Sequence, residues 1–280
     1  MSTSITPSQP LDNAVSHCLI DEDIYRSDKA YSASDIKLEI KNNPYTLWDY
    51  KHNPDTRPRK ETLPLRLGKL FHTSVLEPET FEDRYVLVDD RRTKKGKEQL
   101  QLAKEKGQEP ITQEEFNTAL DISLAVSGNP LCKELFFGGF AEHSYFWKHA
   151  ESNLDLKCRC DWVTEDEDTV IDLKTTGEGG SHPDQFGRTI ASFLYHVQAA
   201  HYLQGTNASR FVFVAVEKVY PFNIGVYELD KKSLDLGLEL QNESLIRIMK
   251  AETTGIWSGY NDPIKGVETL TLPNWAFYRN

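Results

Sequence analysis

The sequence contains no stretch of about 18 consecutive apolar residues, so no segment is built to span a bilayer as a helix. Its first thirty residues also lack the basic-then-apolar order of a secretory signal, and a cytoplasmic protein with no membrane partner is expected. Cysteine is sparse. The four present, Cys18, Cys132, Cys158 and Cys160, include no CxxC pair, which excludes the usual zinc-ribbon and redox motifs. Positive charge is also in deficit: 32 Lys and Arg face 43 Asp and Glu, a net charge of -11. Nonspecific affinity for nucleic acid comes mainly from Lys and Arg neutralising phosphates, so a generic nucleic-acid coat is excluded. A DNA enzyme with a local basic segment is not.

What is present is a chain of 280 residues, 39% hydrophobic and 27% charged, enough for one large α/β domain with its own core. Residues 1–30 carry Ser, Thr, Pro and Asp without helical or strand periodicity and read as a flexible leader. The folded body is then 31–280. Cap-like residues before an apolar repeat predict a short helix over 34–41, ending before Asn43-Pro44. Leu67, Leu70, Phe71, Val75 and Leu76 recur at helical spacing and predict a second helix, with His72 inside it. Residues 90–110 are charged and contain Gly, and read as a mobile segment. Thr112 to Glu115 has the form of a capping box that opens another helix.

Three successive strands are expected over 140–148, 155–164 and 169–175, then a helix over 190–204 closed by Gly205. A strand pair over 210–220 and 224–229 and a long helix over 233–251 complete the pattern. The fold class is α/β, with a mixed central sheet flanked by helices.

The chemistry concentrates in the predicted hairpin. If Thr164 pairs with Thr169 across the polar loop 165–168, Asp161 lies opposite Asp172. Alternation then puts Arg159, Asp161, Asp172 and Lys174 on one face, and Leu156, Cys158, Cys160, Trp162, Ile171 and Leu173 on the other. Two carboxylates facing each other across a ladder repel, and a divalent cation between them resolves the conflict. Magnesium takes hard oxygen ligands, often one or two carboxylates plus water and phosphate. Lys174 is then placed to orient an attacking water or offset phosphate charge. The alternative is a solvated sheet face with Arg159 matched to Asp161 and Lys174 to Asp172. Cys158 and Cys160, on the apolar face, read as small buried hydrophobes in preference to iron–sulfur ligands.

Two basic stretches stand out: Arg57, Arg59 and Lys60, then Arg91, Arg92, Lys94, Lys95 and Lys97, with no acidic residue inside the latter. The second is the candidate DNA-phosphate track. A solvated loop is its alternative.

Asp161 followed by Ile171-Asp172-Leu173-Lys174 matches the acidic and (Asp/Glu)-x-Lys pattern of the PD-(D/E)XK nuclease superfamily, the restriction-endonuclease-like fold. More specific are Leu67-Gly68-Lys69-Leu70-Phe71-His72, Glu142-His143-Ser144-Tyr145-Phe146-Trp147, Lys157-Cys158-Arg159-Cys160-Asp161-Trp162 and Tyr195-His196-Val197-Gln198-Ala199-Ala200-His201-Tyr202. Together they resemble the catalytic domain of the exonuclease VIII (RecE-type) recombination nucleases of phages and prophages, over roughly Tyr31 to Trp275.

The resemblance implies Asp161 and Asp172 as metal ligands joined by His72, Lys174 as the catalytic lysine, and Glu142, Gln198 and Tyr195 at the site. By themselves, His72 is more often a core histidine, Glu142 is equally a structural charge partner, and Tyr195, Gln198 and Tyr202 read as ordinary packing on one helical face. It further implies Mg2+, with Mn2+ able to substitute, and 5′ to 3′ digestion of one strand from double-stranded DNA ends in a bacterial host cell. A single-strand annealing protein is the implied partner and a ring-shaped homo-oligomer the implied assembly. The chain departs from the pattern where Cys160 replaces the proline before the first aspartate, and Asp172 is the shorter of the two permitted acids. The rival expectations are a structure-specific or restriction-like endonuclease on the same fold, and a catalytically silent DNA-binding module.

Overall fold

The computed structural model describes residues 16–18, 20–53, 62–90, 92–261 and 266–277. In chain order, β1 (Ser16–Cys18), α1 (Glu22–Ser27), β2 (Tyr31–Ser32), α2 (Ala33–Lys41) and α3 (Pro44–His52) come first. Next are α4 (Leu63–Leu76), α5 (Phe81–Arg84), β3 (Tyr85–Leu87), α6 (Lys94–Lys106), β4 (Glu109–Ile111), α7 (Gln113–Gly128) and α8 (Pro130–Leu135). The centre of the fold follows as β5 (Gly139–Lys148), β6 (Asp155–Thr164), β7 (Thr169–Thr176), α9 (Pro183–Phe193), α10 (Tyr195–Thr206), β8 (Arg210–Glu217), β9 (Ile224–Glu228) and α11 (Lys231–Thr254). No helix among the described residues is long and apolar enough to cross a membrane.

Seven of the strands form a mixed sheet in the order β1-β5-β6-β7-β8-β9, with β2 as an additional partner of β6, and β3 and β4 pair in parallel as a separate two-stranded sheet. Neighbours in the larger sheet are antiparallel except β7 with β8 and β2 with β6, which are parallel. One face packs on α4 and α7 through Leu70, Phe71, Ile122, Ile171, Leu173, Val212 and Val214. The other packs on α10 and its neighbours through Tyr145, Cys158, Cys160, Val197, Phe213 and Leu245. This is the expected α/β class.

Local signals account for most helix boundaries. Ser32 and Asp35 form a reciprocal capping box on α2, and Thr112 and Glu115 form another on α7. Three expectations are corrected. The segment read as mobile contains α6: the Thr93 hydroxyl accepts from the Gly96 N–H at 3.0 Å, Ala103 is buried, and Gly107 ends the helix in the left-handed region. Its Lys, Gln, Leu, Ala and Glu residues are strong helix formers, and charge alone was a poor guide. The helix expected over 190–204 is two helices, broken at Leu194 with φ 54°. Gly205 does not close it; the left-handed cap is Asn207, and a Cβ at Gly205 would lie 2.4 Å from the Trp147 ring. That glycine is needed for α10 to approach β5. Finally, order begins before Tyr31, since β1 pairs with β5 and α1 caps on Asp21, while residues 1–15 and 19 lie outside the described residues.

Candidate active site

β6 and β7 pair in the register expected from the hairpin, Val163 with Val170 and Trp162 with Ile171, and the ladder stops there. At the next position the strands part. The Asp161 carboxylate takes the place of a backbone acceptor, receiving the Leu173 N–H at 2.8 Å. Further along, β6 is paired instead by β2, Tyr31 with Leu156 and Ser32 with Lys157. Asp161 therefore sits at the fork of the sheet.

The strands also turn over at this point. Ala141 and Trp162 pack in the layer with Ile171 and Leu173, whereas Tyr145, Cys158 and Cys160 pack in the opposite layer. Residues two apart on a regular strand share a face, so Trp162 and Cys160 require an irregularity between them. It lies at Glu142, with φ 51°, and at Asp161 across the β5–β6 ladder from it. The expectation that Cys158 and Cys160 share a face with Trp162 and Leu173 is thereby corrected, although both cysteines are buried. Cys132 belongs to the other layer, across the sheet from them.

Around the fork, α4 presents His72, whose Nδ1 lies 3.6 Å from the Asp161 carboxylate. Glu142 completes a group in which one donor atom from each of His72, Glu142 and Asp161 lies within 4.8 Å of the others. Arg159 does not match Asp161; its Nε donates to Glu142 at 2.7 Å and its Nη1 to the Ile20 carbonyl at 3.1 Å. Asp172, 1% exposed, is ion-paired with Lys174, and its Oδ1 accepts from Gln198 Nε2 at 2.6 Å. The Lys174 ammonium lies over the Tyr195 ring, 4.8 Å from its centroid.

The titration of these groups follows from the crowding. Burial and then the Asp172 charge push the Asp161 carboxyl up to about 7, against Lys174 and the Leu173 N–H. Burial, followed by Asp161, raises Glu142 despite Arg159 beside it. Burial and then Lys174 lower His72, keeping its imidazole neutral and able to act as a ligand. Burial opposes the Lys174 ammonium, but attraction to Asp172 and Asp161 outweighs it and raises that group.

A neutral imidazole and two carboxylates that resist ionisation beside one another make a donor set that gains from a divalent cation. The residues fit such an ion: His72, Glu142 and Asp161 are the ones positioned to hold it. Asp172 adjoins this group and is engaged by Lys174 and Gln198. Tyr195 and Gln198, expected near the site, are there.

Of the expected DNA track, Arg91 lies outside the described residues, as do Arg57, Arg59 and Lys60. Lys94, Lys95 and Lys97 are in the first turn of α6 and Arg92 just before it, all exposed. Arg92 pairs with Asp90 at 2.9 Å, Lys95 with Asp89 at 2.6 Å and Lys94 with Glu98 at 3.9 Å. The structure thus gives Arg92, Lys94 and Lys95 acidic neighbours of their own.

Sequence reasoning missed Lys37. It projects from α2 and donates to Gln198 Oε1 at 3.0 Å. A polar residue within an amphipathic helix gives no warning of this, because the two residues are 161 positions apart in sequence. A cavity of about 700 Å³ opens beside the site, lined in part by Tyr25, Arg26, Lys157, Arg159, Glu142 and Gln198.

Residues 32–267 match the family model described as a PDDEXK-like domain of unknown function, DUF3799. None of the curated proteins compared matches the chain. Among solved structures, a protein named "Putative exonuclease" from Eubacterium rectale aligns with a TM-score of 0.61 over 91% of this chain and 96% of its own, at 14% identity. That is a likeness of fold. A phage related exonuclease from Haemophilus somnus 129PT aligns with a TM-score of 0.35 over 83% of this chain and 99% of its own, at 11% identity.

Proposed function

We propose, from the premise that this chain belongs to the PDDEXK-like family DUF3799, that it is a magnesium-dependent exonuclease, with manganese able to substitute. It digests one strand of duplex DNA from an end in the 5′ to 3′ direction. The observation that carries the nuclease reading is the fork of β6 and β7, where Asp161 stands with His72 and Glu142 on one side and the Lys174–Asp172 pair on the other.

His72, Glu142 and Asp161 would hold the divalent ion, which when bound supplies positive charge against the scissile phosphate and polarises water. Lys174 is held charged by Asp172 and seated over the Tyr195 ring, where it would offset the negative charge that grows on the phosphate oxygens as the bond breaks. Gln198 keeps Asp172 from rotating, and Tyr195 supports the Lys174 ammonium from beneath. Arg159 neutralises Glu142 in part and limits repulsion among the three acids.

The RecE-type motif combination supports the choice of substrate and polarity. By the same reading the product strand passes to a single-strand annealing protein and the enzyme works as a ring-shaped homo-oligomer. A ring reconciles the acidic total with a DNA substrate, since basic segments would line its channel.

The test is linear duplex labelled at either the 5′ or the 3′ terminus, incubated with Mg2+ or EDTA beside covalently closed circular DNA. Mg2+-dependent loss of linear duplex, with early release of the 5′ label and an untouched circle, is expected. Cutting of the circle would replace this reading with the endonuclease one.

A further inference from the structure

We propose that Lys37 is a positioning residue for the nuclease site: it fixes the side-chain amide of Gln198 so that the Gln198 NH2 group holds Asp172. This inference rests on the nuclease reading for its catalytic consequence and on the geometry alone for the orientation.

A carboxylate can only accept hydrogen bonds and an ammonium can only donate them. Gln198 lies between one of each: its Nε2 donates to Asp172 Oδ1 at 2.6 Å and its Oε1 accepts from Lys37 Nζ at 3.0 Å. Rotating the amide by half a turn would set oxygen against carboxylate and NH2 against ammonium, two mismatches at a residue only 7% exposed. Removing Lys37 removes one of those penalties and leaves a buried carbonyl oxygen without its donor.

Lys37 is itself rigidly placed. The Ser32–Asp35 capping box starts α2, and Glu39, 2% exposed, accepts from Arg247 of α11 at 2.7 and 2.8 Å. The Lys37 ammonium also lies 5.3 Å from the centroid of Tyr195, the ring that carries Lys174. One helix outside the sheet thus reaches both groups that orient the Asp172–Lys174 pair.

The test compares wild type, K37M, K37R, Q198L and the double variant K37M/Q198L on linear duplex in Mg2+. K37M is expected to lower kcat about tenfold or more with KM nearly unchanged, K37R to retain most of the rate, and the double variant to be no slower than Q198L. Multiplying effects in the double variant would overturn the proposal and make Lys37 a direct phosphate ligand. An unchanged kcat in K37M would overturn it too. Orientation is read separately, in metal-free 15N-labelled protein, from exchange of the Gln198 NH2 protons, assigned by their loss in Q198L. Exchange at least about tenfold faster in K37M, with α10 backbone amides unaltered, is expected. Unaltered exchange would overturn the proposal, and because this reading needs no cleavage, it separates failure of the inference from failure of the nuclease assignment.

Discussion

Asp161→Asn should stabilise the metal-free protein while removing its response to metal. The wild-type carboxyl rises from an ordinary 3.8 to about 7 because burial and Asp172 oppose its charge. A folded-state pKa above the unfolded one means that this residue's contribution is fully present below about pH 4 and is lost as pH rises through 7. Keeping a second carboxylate charged beside Asp172 in this crowded setting costs on the order of a few kcal/mol at pH 8 before any relaxation. Relaxation and water reduce that figure, so about 1–3 kcal/mol is expected, or roughly 2–6 °C in melting temperature.

Asparagine keeps the acceptor for the Leu173 N–H and loses the charge. Thermal melts in EDTA at pH 8 and pH 5 check this: the variant should be the more stable at pH 8, and the gap should shrink at pH 5. With Mg2+ at about 100 times its Kd, wild type gains about 2.7 kcal/mol and the variant little. A variant no more stable than wild type in EDTA at pH 8, or a gap equal at both pH values, would refute the electrostatic argument.

Lys174→Met should cut the cleavage rate by at least about 100-fold, about 2.7 kcal/mol in barrier, and destabilise the fold by about 3–5 kcal/mol, since Asp172 is left buried and unpaired. Adding Asp172→Asn should restore the melting temperature but not the activity, and restored cleavage would remove Lys174 from the mechanism. Gly237→Ala should cost about 1–3 kcal/mol in urea denaturation, because its Cβ would lie 2.2 Å from the His196 carbonyl oxygen and force α11 away from α10; an unshifted midpoint would show that the two helices can slide. Replacing Arg92, Lys94, Lys95 and Lys97 by Ala should flatten the salt dependence of duplex binding by about 0.9 in log-log slope for each phosphate that is no longer neutralised. An unaltered slope would leave α6 a solvated face.

The hairpin register was legible because the side-chain period of a strand and the loop 165–168 admit few pairings, and Val163 with Val170 is the one observed. The capped helices α2 and α7 were legible for a similar reason: their signals lie within four residues. Legibility failed where a local pattern had two physical outcomes. Charge over 90–110 is as compatible with a solvated helix as with a loop, and Thr93 and Gly107 decide for the helix. The apolar run over 190–204 gives no hint that Leu194 takes the left-handed conformation. Lys37 is the extreme case, since its meaning depends entirely on Gln198 and Asp172, which only the tertiary fold supplies.

Cys158 and Cys160 depart from the face that alternation gives them for a different reason, and the departure falls at the site. Strict alternation is the cheapest arrangement for two paired strands, and it would have put Asp161 and Asp172 opposite each other in an unbroken ladder. The chain instead accepts a positive φ at Glu142 and gives up the β6–β7 ladder beyond Trp162. What this achieves is geometric. An unbroken sheet would direct its carboxylates straight out from one face, whereas the fork turns Asp161 into the gap, where His72 of α4 reaches it from one layer and Asp172 is held from the other by Gln198 of α10. Helices on both sides of the sheet can then act on one small volume. Backbone strain of this kind persists only where the surroundings over-determine it. Here Arg159 fixes Glu142, the Leu173 N–H fixes Asp161, and β2 repairs the exposed stretch of β6. The place where the alternation rule fails is thus the place where a cation can be shared by residues from strand and helix, and the failure is part of how the site is made.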